Sequence, residues 1–226
     1  NLAQTIITFT DTAFLGHLGV VSLGASMMAG MYYFVYTTLA LGFAVGIQII
    51  IARRFGEKRF NEIATIFNHG AIFVAILGIS LLLLLPLFSK SILVHIIDSP
   101  NIFAESMEYI KFRQFGIIFV CFNYLYRSLY IGLSNTKVIT YSTLLMAVVN
   151  IFLDYCLIFG KLGFPEMGIG GAALASLSAE ISASIFFTIY TFFKVHLKDI
   201  KVFSRHKIEM PLLKNILSIG APTMVQ

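Results

Sequence analysis

Charge is the first thing that this sequence lacks. Charged residues make up 12% of the 226 residues, about half of the roughly 25% that is usual in soluble domains. Hydrophobic residues reach 58%, and the mean hydropathy is +0.88. A soluble domain of this size could not hide that much apolar surface from water. Soluble enzymes, disordered chains and fibrous proteins are therefore excluded, and we predict an all-α membrane protein.

Cysteine and tryptophan are also scarce. Cys121 and Cys156 both fall inside apolar runs, which argues against a disulfide framework or a cysteine metal site. The sequence has no Trp but ten Tyr and 22 Phe, so any aromatic belt at the membrane surface consists of Tyr and Phe. No leader pattern opens the sequence, which begins within an apolar run, and we expect a fragment of a longer protein.

Long runs without charged residues predict membrane-spanning helices, because a hydrocarbon core of about 30 Å needs about 20 apolar residues per helix. The predicted spans cover residues 1–15, 21–52, 63–89, 107–133, 138–160 and 168–193. Residues 1–194 would form a six-helix transmembrane lobe, residues 195–214 a cytoplasmic linker and residues 215–226 the start of a seventh helix. Residues 101–111 are amphipathic, and we expect them at the outer membrane surface, leading into the fourth span.

The basic residues lie mainly on one side of this arrangement. Of the 16 Lys and Arg, 11 follow spans two, four and six, and 4 follow spans one, three and five. The remaining one, Arg127, lies near the end of span four and can extend to the membrane surface. The positive-inside rule places the 11-charge side, and with it the amino terminus, in the cytoplasm. The basic excess therefore reports topology and does not indicate nucleic-acid binding.

Three acidic residues lie deep inside the predicted spans, away from their ends: Asp11, Asp154 and Glu180. An ionisable residue in a span costs about 2.5–3.5 kcal/mol on insertion scales, so each is a candidate for function or pairing. Asp11 and Asp154 lie five and six residues before the outer ends of their helices, at Gly16 and Gly160. Both would sit about 8–9 Å below the outer boundary, and we hypothesise that they face one chamber.

Polar residues accompany these acids at helical spacing. Asn150 lies one turn before Asp154, on the same face. Glu180 belongs to a seam of small and polar residues in the sixth span, with Ser176 one turn before it. Asp11 shares a face with three polar residues that we expect to point into the bundle or a cavity: Gln4, Thr8 and Thr12.

Two carboxylates at one depth can share a proton. Alternatively, they can coordinate Na⁺ together with neighbouring amide and hydroxyl oxygens, at a site that would include Asp11, Asn150 and Asp154. In either case the chemistry is cation coupling, so we predict no enzyme and no cofactor besides the coupling ion, H⁺ or Na⁺. Structural alternatives exist for each residue. The two Asp could form a buried hydrogen bond, Asn150 could join two helices, and Glu180 could pair with another helix or face a lumen.

Two further segments are less specific. Met31, Tyr32 and Tyr36 lie in a Met- and Tyr-rich stretch that could line a promiscuous pocket together with Glu180, although core packing and lipid contact explain it more simply. The glycine-rich run at residues 168–173 is not a phosphate loop, because it opens a membrane helix and follows no strand. Close helix packing is the better interpretation.

Four segments resemble signatures of the multidrug and toxic compound extrusion (MATE) transporters. They read DTAFLGHLG at 11–19, RSLYIGLSNTK at 127–137, NIFLDYCLIFG at 150–160 and GIGGAALAS at 168–176. The family's fold has twelve helices in two six-helix lobes, so the resemblance implies an amino-terminal lobe whose partner is its own carboxy-terminal lobe. It also implies the coupling-ion network: Asp11, Gln4, Asn150, Asp154, Tyr109 and Ser176.

The resemblance implies a secondary active antiporter of the cytoplasmic membrane. It would export organic cations, drugs or metabolites in exchange for H⁺ or Na⁺, and it would have the lipid bilayer and a small cationic substrate as partners. A lipid-linked saccharide flippase of the same superfamily is the nearest alternative, and a non-transporting membrane bundle is a remote one. An intramembrane aspartyl protease is disfavoured, because Ile-Phe-Leu precedes Asp154 where that class has Gly-x-Gly.

Overall fold

The computed structural model describes residues 2–196, 200 and 202. These residues are almost entirely helical, and none of them forms a strand, which confirms the all-α prediction for this part of the chain. The helices are α1 (Leu2–Leu18), α2 (Val20–Gly56), α3 (Phe60–Ile96), α4 (Pro100–Arg113), α5 (Gly116–Gly132), α6 (Lys137–Phe159) and α7 (Gly168–Thr191), followed by a π-helix (Phe192–His196). Most of the predicted linker and all of the predicted seventh helix lie outside the described residues.

The long helices match the charge-free runs. By length and composition α2, α3, α6 and α7 can cross a membrane, and α4 with α5 forms a fifth candidate among the described residues. These correspond to the second to sixth predicted spans. Helix α1 has 17 residues, slightly fewer than the about 20 needed for a full crossing. The described residues are thus those of a multi-pass membrane protein.

The fourth span differs from its prediction. A single helix was predicted over residues 107–133, whereas α4 ends at Arg113, α5 begins at Gly116, and the two axes meet at 57°. The amphipathic stretch at 101–111 belongs to α4, which starts after the N-cap residue Ser99. The prediction of one continuous helix was wrong. The sequence has no proline near residues 113–116, so the usual signal for the end of a helix is missing there.

Three helices end in the same backbone motif. Lys58, Ser134 and Gly160, which follow α2, α5 and α6, have positive φ angles of 58°, 56° and 62°. The next residue in each case donates its N–H to the carbonyl five residues back, at 2.9 Å, 2.8 Å and 3.0 Å. This is the Schellman motif, which satisfies carbonyl groups that a helix end would otherwise leave unpaired.

The chain divides into two compact units, each built from three segments. Unit 1 comprises Asn1–Tyr36, Ser80–Ile117 and Thr143–Ala183, and unit 2 comprises Thr37–Ile79, Ile118–Ser142 and Ser184–Gln226. The core of unit 1 joins α1, α2, α6 and α7 through buried apolar residues: Leu15, Ala25, Ile158, Ile169 and Ala172.

Helices α6 and α7 approach closely within unit 1. A Cβ atom at Gly171 would lie 2.6 Å from the carbonyl oxygen of Leu157 and 3.0 Å from the backbone nitrogen of Ile158. The N–H of Met167 donates to the same Leu157 carbonyl at 2.8 Å. The predicted role of the 168–173 run in close helix packing is therefore confirmed.

In unit 2, a ladder of three side-chain hydrogen bonds joins α5 to the segment that begins at Ser184. Aromatic rings support it, since Phe187 stacks on both Tyr126 and Tyr130. The ladder pairs are Ser184–Asn123 at 2.8 Å, Tyr126–Thr188 at 2.9 Å and Tyr130–Thr191 at 2.7 Å.

Candidate functional site

Asp11 and Asp154 meet inside unit 1. Asp154 is 0% exposed, Asp11 is half-buried, and their carboxyl groups lie within hydrogen-bonding reach of each other. On α1, Asp11 shares a face with the buried residues Ile7 and Leu15, because residues four apart in a helix lie above one another. The structure thus brings together the two acids that the sequence places at one depth.

The atoms of this pair lack hydrogen-bond donors. Oδ1 of Asp11, both carboxyl oxygens of Asp154 and both amide atoms of Asn150 are buried, and none has a hydrogen-bond partner among the described residues. A buried polar group without a partner costs about 1–3 kcal/mol. One ionised carboxylate cannot donate to another, so a proton or a cation between the two acids is what would satisfy this contact.

The donor set consists of oxygen atoms. Carboxylate and amide oxygens suit a proton or a hard cation such as Na⁺, whereas transition metals favour imidazole and thiolate ligands. Within the described residues, no three His, Cys, Asp or Glu side chains lie close enough to hold a metal ion together. Asp11, Asn150 and Asp154 thus offer oxygen atoms that suit a proton or a hard cation.

A buried ion pair lies in the same unit, at the break between α4 and α5. Arg113 bonds both carboxyl oxygens of Glu180, with Nη1 at 2.8 Å from Oε2. The two side chains are only 12% and 8% exposed. The guanidinium also lies over the ring of Tyr33, 4.2 Å from its centroid, and Nη1 is 3.3 Å from the Tyr33 hydroxyl. Glu180 thus pairs with another helix, which was one of its two predicted alternatives.

Arg113 was missed by the sequence analysis. It lies near the start of the predicted fourth span, at 107–133, but its charge was counted with those that follow the third span. The signal that could have found it is Glu180, because an ionised carboxylate buried in a membrane helix is costly without a cationic partner.

Gly116 makes room for this ion pair. A Cβ atom there would clash with Oε2 of Glu180, would lie 2.5 Å from Nη1 of Arg113 and would be 3.2 Å from the Tyr33 hydroxyl. Any side chain at this position would have to displace the ends of Arg113 and Glu180 from the positions they hold.

Tyr109 of α4 lies near both the ion pair and Asp11. It packs against the apolar core of unit 1 and lies within electrostatic range of Arg113, Asp11 and Glu180. Ser176 is half-buried on α7, one turn before Glu180.

The polar stripe of α1 does not face into unit 1. Gln4, Thr8 and Thr12 are exposed, and the two threonine hydroxyls donate to carbonyls of their own helix, at 3.1 Å and 2.7 Å. Of the four residues of the predicted stripe, only Asp11 is partly buried. The stripe therefore does not point into the packed helices, which was one of the two predicted alternatives.

The Met- and Tyr-rich stretch of α2 is divided between surface and core. Met31 is 70% exposed, whereas Tyr32 is buried. The Tyr32 hydroxyl donates to the carbonyl of Leu85 at 2.7 Å and lies 2.9 Å from the hydroxyl of Tyr36. Tyr32 therefore joins α2 to α3, and its place in a substrate pocket stays a prediction.

The sequence model of the MatE family matches residues 1–156. The chain belongs to the MatE family. The members of this family are transporters and not enzymes. A probable multidrug resistance protein NorM of Agrobacterium fabrum is 30% identical over 228 residues, and one of Thermotoga maritima is 29% identical over 235 residues. Each alignment covers 100% of this chain and 48% of the relative.

Solved structures agree with this assignment. The outward-facing conformation of a multidrug resistance MATE family transporter of the MOP superfamily superposes with a TM-score of 0.89 at 25% identity, over 99% of this chain and 49% of that one. A MOP superfamily transporter from Pyrococcus furiosus, described by a reversed polarity of its binding pocket, gives 0.86 at 26% identity, over 99% and 48%. The chain thus spans about half the length of the relatives it matches.

Proposed function

We propose that this chain forms one lobe of a multidrug efflux transporter that exchanges small organic cations for H⁺ or Na⁺ across the cytoplasmic membrane. Asp11 and Asp154 would bind the coupling ion, with Asn150 beside them. The observation that supports this most strongly is the contact between two carboxyl groups whose buried oxygens have no donor among the described residues.

The coupling follows from the charge of the pair. Without a proton or cation, two ionised carboxylates in contact repel each other in a medium of low dielectric constant. A bound ion removes this repulsion, so α1 and α6 can pack closely at this point. Binding and release of the ion would therefore change the packing of α1, which is the event that a transporter needs to couple an ion gradient to a change of conformation.

The proposal also covers substrate and partner. The relatives' names support drugs as substrates, and an excess of buried acids favours cationic ones. A second lobe of similar size would supply the rest of the substrate path, because the matched transporters are about twice as long as this chain.

The experiment uses the complete protein that contains this sequence, reconstituted into liposomes. Efflux of ethidium is followed under an imposed pH gradient and, separately, under a Na⁺ gradient, for the wild type, Asp11→Asn and Asp154→Asn. Asp98→Asn is the matched control, since Asp98 is an exposed residue in the loop between α3 and α4.

We expect one of the two gradients to drive efflux in the wild type and in Asp98→Asn, and both site variants to lose this dependence. Efflux that neither gradient drives, or that survives unchanged in Asp11→Asn, would contradict the proposal and favour the flippase alternative.

A further inference from the structure

The Arg113–Glu180 ion pair and the Asp11–Asp154 pair belong to the same unit, and their charges are not independent. Arg113 lies close enough to Asp11 for the two charges to interact. Tyr109, one turn before Arg113 on α4, packs against the core cluster that contains Leu15 and Ile158, which lie one turn after Asp11 and Asp154. A fixed positive charge therefore lies near Asp11, which contacts Asp154.

Arg113 is a potential competitor for any cation that these acids bind. Its guanidinium stays protonated in every protein environment, and its fork of donors matches a carboxylate well. A guanidinium that was free to approach Asp11 would permanently neutralise one of the two carboxylates. An external proton or Na⁺ would then find a site that already holds a cation.

The geometry shows what holds Arg113 in place. Glu180 accepts two bonds from the guanidinium, the Tyr33 ring lies beneath it, and Gly116 leaves the space that both charged groups occupy. With Glu180 ionised, the ion pair has no net charge. The acids then experience only the residual field of a neutral pair instead of that of a full positive charge.

We propose that Glu180 is a positioning residue that retains Arg113 at the break between α4 and α5, so that the Asp11–Asp154 pair remains available to an external cation. This inference rests on the proposed function, in which these two acids bind the coupling ion. It assigns Glu180 a role in setting the affinity for that ion without contact to the ion itself.

Four groups interact with Arg113 in unit 1: Asp11 of α1, Tyr33 of α2, Tyr109 of α4 and Glu180 of α7. Asp154 of α6 lies beyond them, in contact with Asp11. Of these, Glu180 is the one whose charge directly balances the guanidinium.

The test compares Glu180→Gln, Arg113→Gln and the double variant in the complete protein, reconstituted into liposomes. The readout is the concentration of H⁺ or Na⁺ that gives half-maximal ethidium efflux. We expect Glu180→Gln to need about tenfold more of the coupling ion, because an unbalanced positive charge then lies near the site. Arg113→Gln should need the same or less, since its removal leaves a negative charge, and the double variant should return to within about threefold of wild type.

A purely structural ion pair would give a different pattern. Both single variants would then lose protein or maximal rate, while the ion concentration at half-maximal efflux would stay the same or move in one direction for both. That result would overturn the inference. If Glu180→Gln does not fold, Arg113→Gln is compared with the double variant, and a double variant that needs about tenfold more of the coupling ion than Arg113→Gln would also overturn it, because Glu180 would then act without Arg113.

The outcome is separable from that of the proposed function. Gradient-driven efflux that persists in Asp11→Asn would refute the ion site itself. Loss of coupling in Asp11→Asn together with unchanged ion affinity in Glu180→Gln would refute only the role of Glu180. Glu180→Asp, which keeps the charge, serves as the conservative control and should stay close to wild type.

Discussion

Replacing Gly171 by alanine should separate α6 from α7. The added Cβ atom would lie 2.6 Å from the Leu157 carbonyl oxygen, and ordinary contacts begin at 3.4 Å, so the helices must part by about 0.8 Å. Backbone atoms cannot rotate away as the end of a side chain can. In a membrane, helices associate largely through such close contacts, so the separation removes packing that nothing replaces.

The magnitude follows from two opposing effects. Inserting a methyl group into a filled site costs about 1–3 kcal/mol. Alanine in place of glycine in a helix returns about 0.5–1 kcal/mol. We therefore expect Gly171→Ala to lower the free energy of unfolding by about 0.5–2 kcal/mol, which corresponds to a fall of a few degrees in Tm.

Thermal unfolding of the complete protein in detergent can be followed with a maleimide dye that fluoresces on reaction with thiols. Cys121 and Cys156 are buried thiols, so they react with the dye as the structure opens. Gly30→Ala is the matched control, because a Cβ atom at this helical glycine of α2 meets nothing within 4 Å. The control should unfold at the wild-type temperature or above it, and equal Tm values for the two variants would refute the reasoning.

Two further predictions concern unit 2. Tyr130→Phe removes the 2.7 Å hydrogen bond to the buried Thr191 and should lower stability by about 1 kcal/mol in the same assay, whereas Tyr141→Phe, at a residue 57% exposed, should change nothing; equal losses would contradict the ladder's contribution. The hydrogen bond from Arg54, and to a smaller extent the one from Arg53, lowers the pKa of Glu57 from 4.5 to about 2. The stability that ionised Glu57 adds is therefore complete above pH 4.5 and is lost as the pH falls towards 2. Glu57→Gln should remove that acid-dependent part of the Tm profile, and about 1 M salt should weaken it in the wild type.

The sequence predicted the long helices well because one physical rule governs them. A backbone in lipid must satisfy its own hydrogen bonds, so a charge-free run long enough to cross the membrane becomes a helix. The predicted span at 21–52 became Val20–Gly56, and that at 138–160 became Lys137–Phe159. The close packing at Gly171 followed from composition as well, since small residues mark points where membrane helices approach each other.

The ion pair and the break in the fourth span could not be predicted in the same way. Charged residues were taken to lie at the membrane surface or in water. Arg113 is charged but buried, because Glu180 neutralises it. Such a pair depends on two residues 67 positions apart, which no local pattern connects. The contact of Asp11 with Asp154 was expected only because helical rise gives depth. The side that each residue faces depends on how the helices pack. Three polar residues of α1 are exposed for this reason: Gln4, Thr8 and Thr12.

The break between α4 and α5 also has an electrostatic consequence. A helix carries a partial negative charge at its carboxyl end and a partial positive charge at its amino end. Arg113 is the last residue of α4, and Glu180 lies against Gly116, the first residue of α5. Each member of the ion pair thus lies at the helix terminus of opposite sign. An unbroken helix would present no termini there, so a change that straightened this span would weaken the pair without altering either charged residue.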